Sequence, residues 1–216
     1  MYQIMSSTLG PVMTNCYTVI NDETREAILI DASGRAEDAL KNVRESGASP
    51  VAVLLTHAHF DHMDAVPGIK SKYADIPVYI GENDESIMGD PSLNLSYAFM
   101  GNPISLKPDK TVSDGDVIEL IGLRIKCIEV PGHTEGGMCY LMNIPGEDGA
   151  KKHVLFDGDT LFFRSVGRSD FPTGNGELLI SSIREKLLTL PDDTIVLPGH
   201  DMTTTIGQEK NNPWLR

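Results

Sequence analysis

Three histidines and an aspartate fall within six residues in Thr56-His57-Ala58-His59-Phe60-Asp61-His62. Neutral imidazoles and carboxylates are the ligands that suit zinc and similar divalent ions. The His-x-His spacing lets both rings lie on one side of an extended segment, while Asp61 and His62 reach a second point nearby. Four potential ligands in this order outweigh a chance cluster of surface histidines. Three more candidates each follow an apolar run. His133 follows Val130-Pro131-Gly132, and Gly132, Gly136 and Gly137 free the backbone there to bend around an ion. Asp159 stands in Phe156-Asp157-Gly158-Asp159-Thr160-Leu161-Phe162, and His200 ends Leu197-Pro198-Gly199-His200. His153, between Lys152 and Val154, has no such setting and reads as an exposed edge residue. Cys16, Cys127 and Cys139 are scattered and odd in number, so they read as core residues, neither a disulfide framework nor a nucleophile.

Ligands delivered this way need strands that end at a common edge. Residues 15–21 and 26–31 read as strands joined by a polar turn at 21–25. Residues 35–46 read as a helix: Ala36, Ala39, Leu40 and Val43 share a face, Glu37 and Asp38 sit early, and Gly47 can stop it. The continuous apolar run 51–56 has the pattern of a strand buried on both faces, ending at His57. A helix over 64–73, weakened by Pro67 and Gly68, and a strand over 77–80 follow. Residues 117–120 and 123–130 form a predicted hairpin across Ile121-Gly122, and 137–143 and 153–156 are further strands. The clearest helix is 177–190, with Leu179, Ile180, Ile183, Leu187 and Leu190 on one face and Pro191 ending it. The last buried strand is 194–197. Residues 82–108 lack periodicity but carry Met88, Tyr97, Phe99 and Met100, the profile of a pocket-lining lid or of a surface excursion. Strands in runs, later alternating with helices, predict packed sheets covered by helices without fixing the topology.

The bulk properties narrow the function. A chain of 216 residues fits a single domain, 1–216, with a substantial core. Its net charge is −13 and its 18 Lys and Arg form no cluster, so it lacks the basic surface that nonspecific nucleic-acid binding requires. No signal-like segment opens the sequence, and no apolar run approaches the roughly 18 residues of a membrane span. The expectation is a cytoplasmic protein with no nucleic-acid or membrane partner, acting on a small molecule; the oligomeric state is open.

The order His-x-His-x-Asp-His, then a lone His, an Asp and a lone His resembles the metallo-β-lactamase superfamily. Thr56–His62, Pro131-Gly132-His133-Thr134, Gly158-Asp159-Thr160-Leu161-Phe162 and Leu197-Pro198-Gly199-His200 resemble its glyoxalase II (hydroxyacylglutathione hydrolase) branch. The resemblance implies an α/β (α+β) fold, an αββα sandwich of two mixed sheets flanked by helices. It implies that His57, His59 and His133 hold one metal, that Asp61, His62 and His200 hold a second, and that Asp159 bridges them. Two divalent ions per chain follow, zinc first, with iron or manganese as alternatives. The implied chemistry is hydrolysis of a thioester or ester such as S-lactoylglutathione by a metal-bridging hydroxide, because metal binding lowers water's pKa from 15.7 to about 7. Asp61 would orient that hydroxide or take its proton, and Asp31 would brace a ligand loop. β-Lactamases proper typically use Cys where Asp159 stands, which disfavours antibiotic hydrolysis. In glyoxalase II a basic residue at the Arg168 position helps to bind substrate, although Arg168 could merely pair with Asp170. Gly167-Arg168-Ser169-Asp170-Phe171 also resembles persulfide dioxygenases, whose single iron needs only two His and one Asp. A scaffold with an inert site is a third reading, opposed by the intact ligand set. Glyoxalase II enzymes continue into a helical domain that contacts glutathione; the 16 residues of Asp201–Arg216 leave no room for one, so weak selection for glutathione is expected.

Overall fold

The apolar runs become the strands of two six-stranded sheets in a computed structural model that describes residues 1–146 and 149–215. The first sheet holds β1 (Tyr2–Leu9), β2 (Thr14–Asn21), β3 (Glu26–Ile30), β4 (Ser49–Leu54), β5 (Val78–Gly81) and β6 (Lys110–Val112) in sequence order. The second contains β7 (Val117–Leu120), β8 (Leu123–Glu129), β9 (Met138–Pro145), β10 (Lys151–Gly158), β13 (Ile195–Pro198) and β14 (Thr204–Thr205), ordered β14-β13-β10-β9-β8-β7. A small hairpin of β11 (Leu161–Phe162) and β12 (Ser165–Val166) completes the described strands.

Side chains alternate between two environments along each strand, as the pleat requires. From β2, Tyr17 and Val19 point between the sheets and meet Tyr140, Met142 and Phe156 of the second sheet. Cys16 and Ile20 point the other way, under α2 (Lys41–Ser46), α3 (Phe60–Met63) and α4 (Val66–Lys72), beside Val43, Met63 and Ile69. The second sheet's outer face, with Cys139, Leu155 and Val196, is covered by Leu179, Ile183 and Leu187 from a helix over Gly176–Ser182 and its continuation. The result is an αββα sandwich, four layers with apolar contact at each of three interfaces. No described helix is long and apolar enough to cross a membrane.

Strand direction decides what reaches the working edge. β3, β4 and β5 run parallel, so Asp31 and His57 leave the first sheet side by side. In the second sheet β8 and β10 each pair antiparallel with β9, and β13 pairs parallel with β10. β8, β10 and β13 therefore point one way and deliver His133, Asp159 and His200 to one edge. Polar bonds join the sheets beside it: Met138 N–H donates to Thr56 O (2.7 Å), Asn15 N–H to Gly199 O (2.7 Å) and the buried Tyr140 hydroxyl to Leu55 O (2.8 Å).

Several expectations need amendment. The helix predicted over 35–46 is two short ones, α1 (Ala36–Ala39) and α2, separated by Leu40, whose ψ of 1° lies off the helical value. The predicted 177–190 helix is α-helical to Ser182 and then a π-turn over Ile183–Leu187, with Leu188 N–H bonded to Ile183 O. That turn keeps both Ile183 and Leu187 buried. Residues 82–108 are not structureless. They hold a 3₁₀ turn (Glu82–Asp84), α5 (Glu85–Gly89) and α6 (Ser96–Phe99), and Leu95 and Phe99 wall a cavity at the working edge. His153 is half-exposed but not on an edge strand, since β10 lies between β9 and β13, and its Nδ1 meets Asn143 Oδ1 across the pair.

Candidate metal centre

His57 sits just past the end of β4, His59 at the N-terminal boundary of α3, and Asp61 and His62 within it. Hydrogen bonds behind the rings decide which nitrogen faces inward. His133 Nδ1 lies 2.7 Å from Arg168 O, which can only accept, so Nδ1 carries the proton and Nε2 presents a bare lone pair. Thr56 Oγ1 gives its proton to Asp31 Oδ2 (2.8 Å); His57 Nδ1, 3.1 Å from that hydroxyl, is therefore the donor, and His57 Nε2 is bare. His62 Nδ1 stands 3.0 Å from Asp31 Oδ2, which turns its Nε2 into the site. Asp31, at a φ of 55° that Asp tolerates better than most residues, also accepts from Thr56 N–H (2.8 Å).

The inward atoms then crowd. His133 Nε2 lies 3.2 Å from His57 Nε2 and 2.9 Å from His59 Nδ1. The bare lone pairs of His133 Nε2 and His57 Nε2, 3.2 Å apart, repel unless a cation lies between them. Burial and the neighbouring imidazoles hold His57 and His59 well below the usual histidine pKa, so both are neutral, the form that coordinates metal. His62 is the opposite case. Burial disfavours its charge, but the carboxylates of Asp61, Asp31 and Asp159 win and raise it well above the ordinary value. These carboxylates favour positive charge at that point. Asp61 is equally determined: burial would raise it, yet His62, His200 and the Thr14 hydroxyl (2.7 Å) keep it an anion.

Distances test whether these donors fit metal. Four ligands held tetrahedrally at zinc's usual 2.0–2.1 Å stand about 3.3–3.4 Å from one another. His62 Nε2 and His200 Nε2 lie 3.3 and 3.4 Å from Asp61 Oδ2. Asp159 Oδ2 lies 3.6 Å from His133 Nε2 and 3.5 Å from His200 Nε2, and Asp159 Oδ1 is 3.4 Å from His62 Nε2. Three sets have donor atoms within 4.8 Å of one another: His57–His59–His133, Asp61–His62–His200 and His57–His62–Asp159. All seven sequence-predicted ligands are thus brought together, with Asp159 between the outer two sets. The fit is good. Glycine is needed where the backbone passes behind them, since a Cβ on Gly199 would fall on Asp159 Oδ1 and His62 Cε1.

Arg168 lines the same cavity, but its guanidinium is paired side-on with Asp170 (both contacts 2.8 Å) and stacked 3.8 Å from the centre of the Phe171 ring. The cysteines take no part. All three are buried, and burial pushes Cys16 and Cys127 up to about 12 and Cys139 well above its usual value, so none supplies a thiolate near neutral pH.

Sequence reasoning missed two residues. Thr14 opens β2 and anchors Asp61. Asp84, fully buried, accepts from Ala58 N–H (2.9 Å), Gly136 N–H (2.7 Å) and the Thr134 hydroxyl (2.9 Å). One carboxylate thereby ties the His57–His59 segment to the loop that carries His133. Burial raises its pKa to about 6, and the three donors on its two oxygens favour the ionised form.

Known proteins resemble this chain along most of its length. The family model described as "Metallo-beta-lactamase superfamily" matches residues 9–200. The "Probable metallo-hydrolase YqgX" of Bacillus subtilis (strain 168) is 36% identical over 96% of this chain and 94% of its own. The "Hydroxyacylglutathione hydrolase GloC" of Haemophilus influenzae is 37% identical over 93% of this chain and 92% of its own. Among solved structures, the BLEG-1 B3 metallo-β-lactamase superposes with a TM-score of 0.87 at 37% identity, covering 99% of each chain. TTHA1623 in a di-iron-bound form gives 0.80 at 34%, covering 98% of this chain and all of that one. On the family model, the relatives and the shared fold together, this chain belongs to the metallo-β-lactamase superfamily.

Proposed function

We propose that this protein is a binuclear metallohydrolase of thioesters, with His57, His59 and His133 at one ion, Asp61, His62 and His200 at the other, and Asp159 shared. The observation that carries this reading is Asp159 Oδ2, placed 3.6 and 3.5 Å from imidazole nitrogens of the two sets. Divalent ions held there would lower the pKa of water toward about 7 and polarise a carbonyl oxygen.

The chain's own residues do the rest. Asp61, fixed by Thr14 and kept ionised, accepts a hydrogen bond from the attacking water and sets its direction. Arg168 O holds His133 in one tautomer, and Asp31 does the same for His57, through Thr56, and for His62. The water oxygen bonds to the carbonyl carbon, the C–S bond breaks, and a carboxylic acid and a thiol leave. The similarity to GloC supports a thioester, and the metal is zinc, manganese or, as in the di-iron neighbour, iron.

The test joins elemental analysis to two assays. About two metals per chain and thiol release from S-lactoylglutathione are expected, with no oxygen uptake on glutathione persulfide. One tightly held iron with rapid oxygen uptake would replace the hydrolase with a persulfide dioxygenase, which uses only two His and one Asp. The likeness to a B3 metallo-β-lactamase supports a second reading, β-lactam hydrolysis, and nitrocefin cleavage faster than thioester cleavage would favour it.

A further inference from the structure

The cavity above the metal centre has a volume of about 450 Å³, and the ligands His59, Asp61, His133, Asp159 and His200 form one part of its lining. Most of the remaining lining is apolar. Phe60 and Phe99 stack at 5.7 Å with planes 12° apart, beside Leu95. Phe162 stands edge-on to His200, Phe171 edge-on to His59, and Val12 adds to the wall. Two of these are uncovered, Phe99 at 61% and Val12 at 44% exposure. Apolar side chains gathered at a cavity mouth mark a surface that meets an apolar ligand.

Charge points the same way. Among the described lining residues the one Lys or Arg is Arg168, and Asp170 already neutralises it through two 2.8 Å hydrogen bonds. Glutathione carries two carboxylates and one ammonium, a net negative charge; here its carboxylates would find no uncompensated lysine or arginine in the lining, and the chain has a net charge of −13.

Resting on the hydrolase reading above, we infer that the substrate is uncharged on both sides of the scissile carbonyl: an apolar acyl group carried on a neutral thiol. Phe99 and Leu95 set the preference for the acyl chain, and the Arg168–Asp170 pair withholds the cation that an anionic thiol would need.

The experiment compares acetyl, butyryl and hexanoyl thioesters of N-acetylcysteamine, a neutral thiol, with S-lactoylglutathione on metal-loaded enzyme. Burying each added methylene raises kcat/KM about fourfold, so hexanoyl should exceed both acetyl and S-lactoylglutathione by at least about tenfold. Phe99→Ala removes an exposed ring, leaves the fold intact and should flatten the acyl series. Asp170→Asn should raise kcat/KM for S-lactoylglutathione several-fold while leaving the neutral series unchanged. A preference for S-lactoylglutathione over the hexanoyl thioester, or a flat series in the parent enzyme, overturns the inference and leaves the hydrolase standing. If no thioester is cleaved, the hydrolase reading fails. Calorimetric binding of S-hexyl and S-methyl N-acetylcysteamine thioethers then reads the cavity alone: tighter hexyl binding upholds its apolar preference without the hydrolase, and equal affinity ends both.

Discussion

Removing Asp159 and removing His200 are different operations on the centre. Asp159 stands between both ligand sets, whereas His200 belongs to one and is partly exposed. On the proposed binuclear site, Asp159→Ala would take a donor and a compensating negative charge from both positions, and His200→Ala would open one coordination position. We expect Asp159→Ala to lose at least about tenfold more kcat/KM than His200→Ala, about 1.4 kcal/mol of transition-state stabilisation. Equal, small losses measured for both would place the chemistry elsewhere. The candidate ligands stood out because each is a His or Asp at or soon after the end of an apolar run, a pattern that depends on nearby residues alone. Thr14 and Asp84 were not singled out, since a buried Thr or Asp becomes a support only through partners far away in sequence, 47 residues for Thr14 and up to 52 for Asp84.

The 3₁₀ turn at Glu82–Asp84 is three residues long, yet it holds two ligand-bearing segments in register through Asp84. Asp84→Asn keeps the size but turns a donor NH₂ toward groups that are themselves donors. Supporting residues of this kind cost about 10–100-fold in metal affinity when changed. A competition titration with a chromophoric chelator should show that loss, with the metal-free protein melting within a few degrees of the parent. Unchanged metal affinity would reduce Asp84 to a packing residue. Elements with strong periodicity were readable, as in the 117–120/123–130 hairpin, which the structure places at Val117–Leu120 and Leu123–Glu129. The break at Leu40 and the π-turn after Ser182 were not, because a helical face of apolar residues looks the same whether or not its backbone is interrupted. β1 and β6 escaped because both are largely exposed: Tyr2–Leu9 has no fully buried residue and Lys110–Val112 has one.

At the scale of the molecule, the two sheets meet through apolar side chains, a few hydrogen bonds and the ligand set itself. Four candidate ligands follow β4 in the first sheet, and three end strands of the second. An ion bound among them ties the sheets together and stabilises the folded chain by mass action. At a free metal concentration of 100 Kd that is about 2.7 kcal/mol, and for a chain of this size each kcal/mol moves Tm by about 2–4 °C. Scanning calorimetry should therefore show Tm falling by about 5–10 °C on complete chelation and returning on addition of zinc. A Tm indifferent to verified metal removal would mean that the ions do not bridge the sheets. The two sheets were predictable from strand runs, but their strand order was not, because which strands neighbour one another depends on packing that no local pattern encodes.

The strand order of the first sheet bears on the path by which the chain folds. Each of its hydrogen-bonded neighbours is also the next strand in sequence, but three of its five pairings are parallel and need long crossovers, the slower kind of closure. A chain that has built only this sheet owns His57, His59, Asp61 and His62 but none of the partners at 133, 159 and 200. Each candidate donor set includes a residue from the second sheet, so full affinity requires that sheet to be docked. The rate at which tight metal binding appears during refolding therefore clocks the final assembly step, not the formation of either sheet.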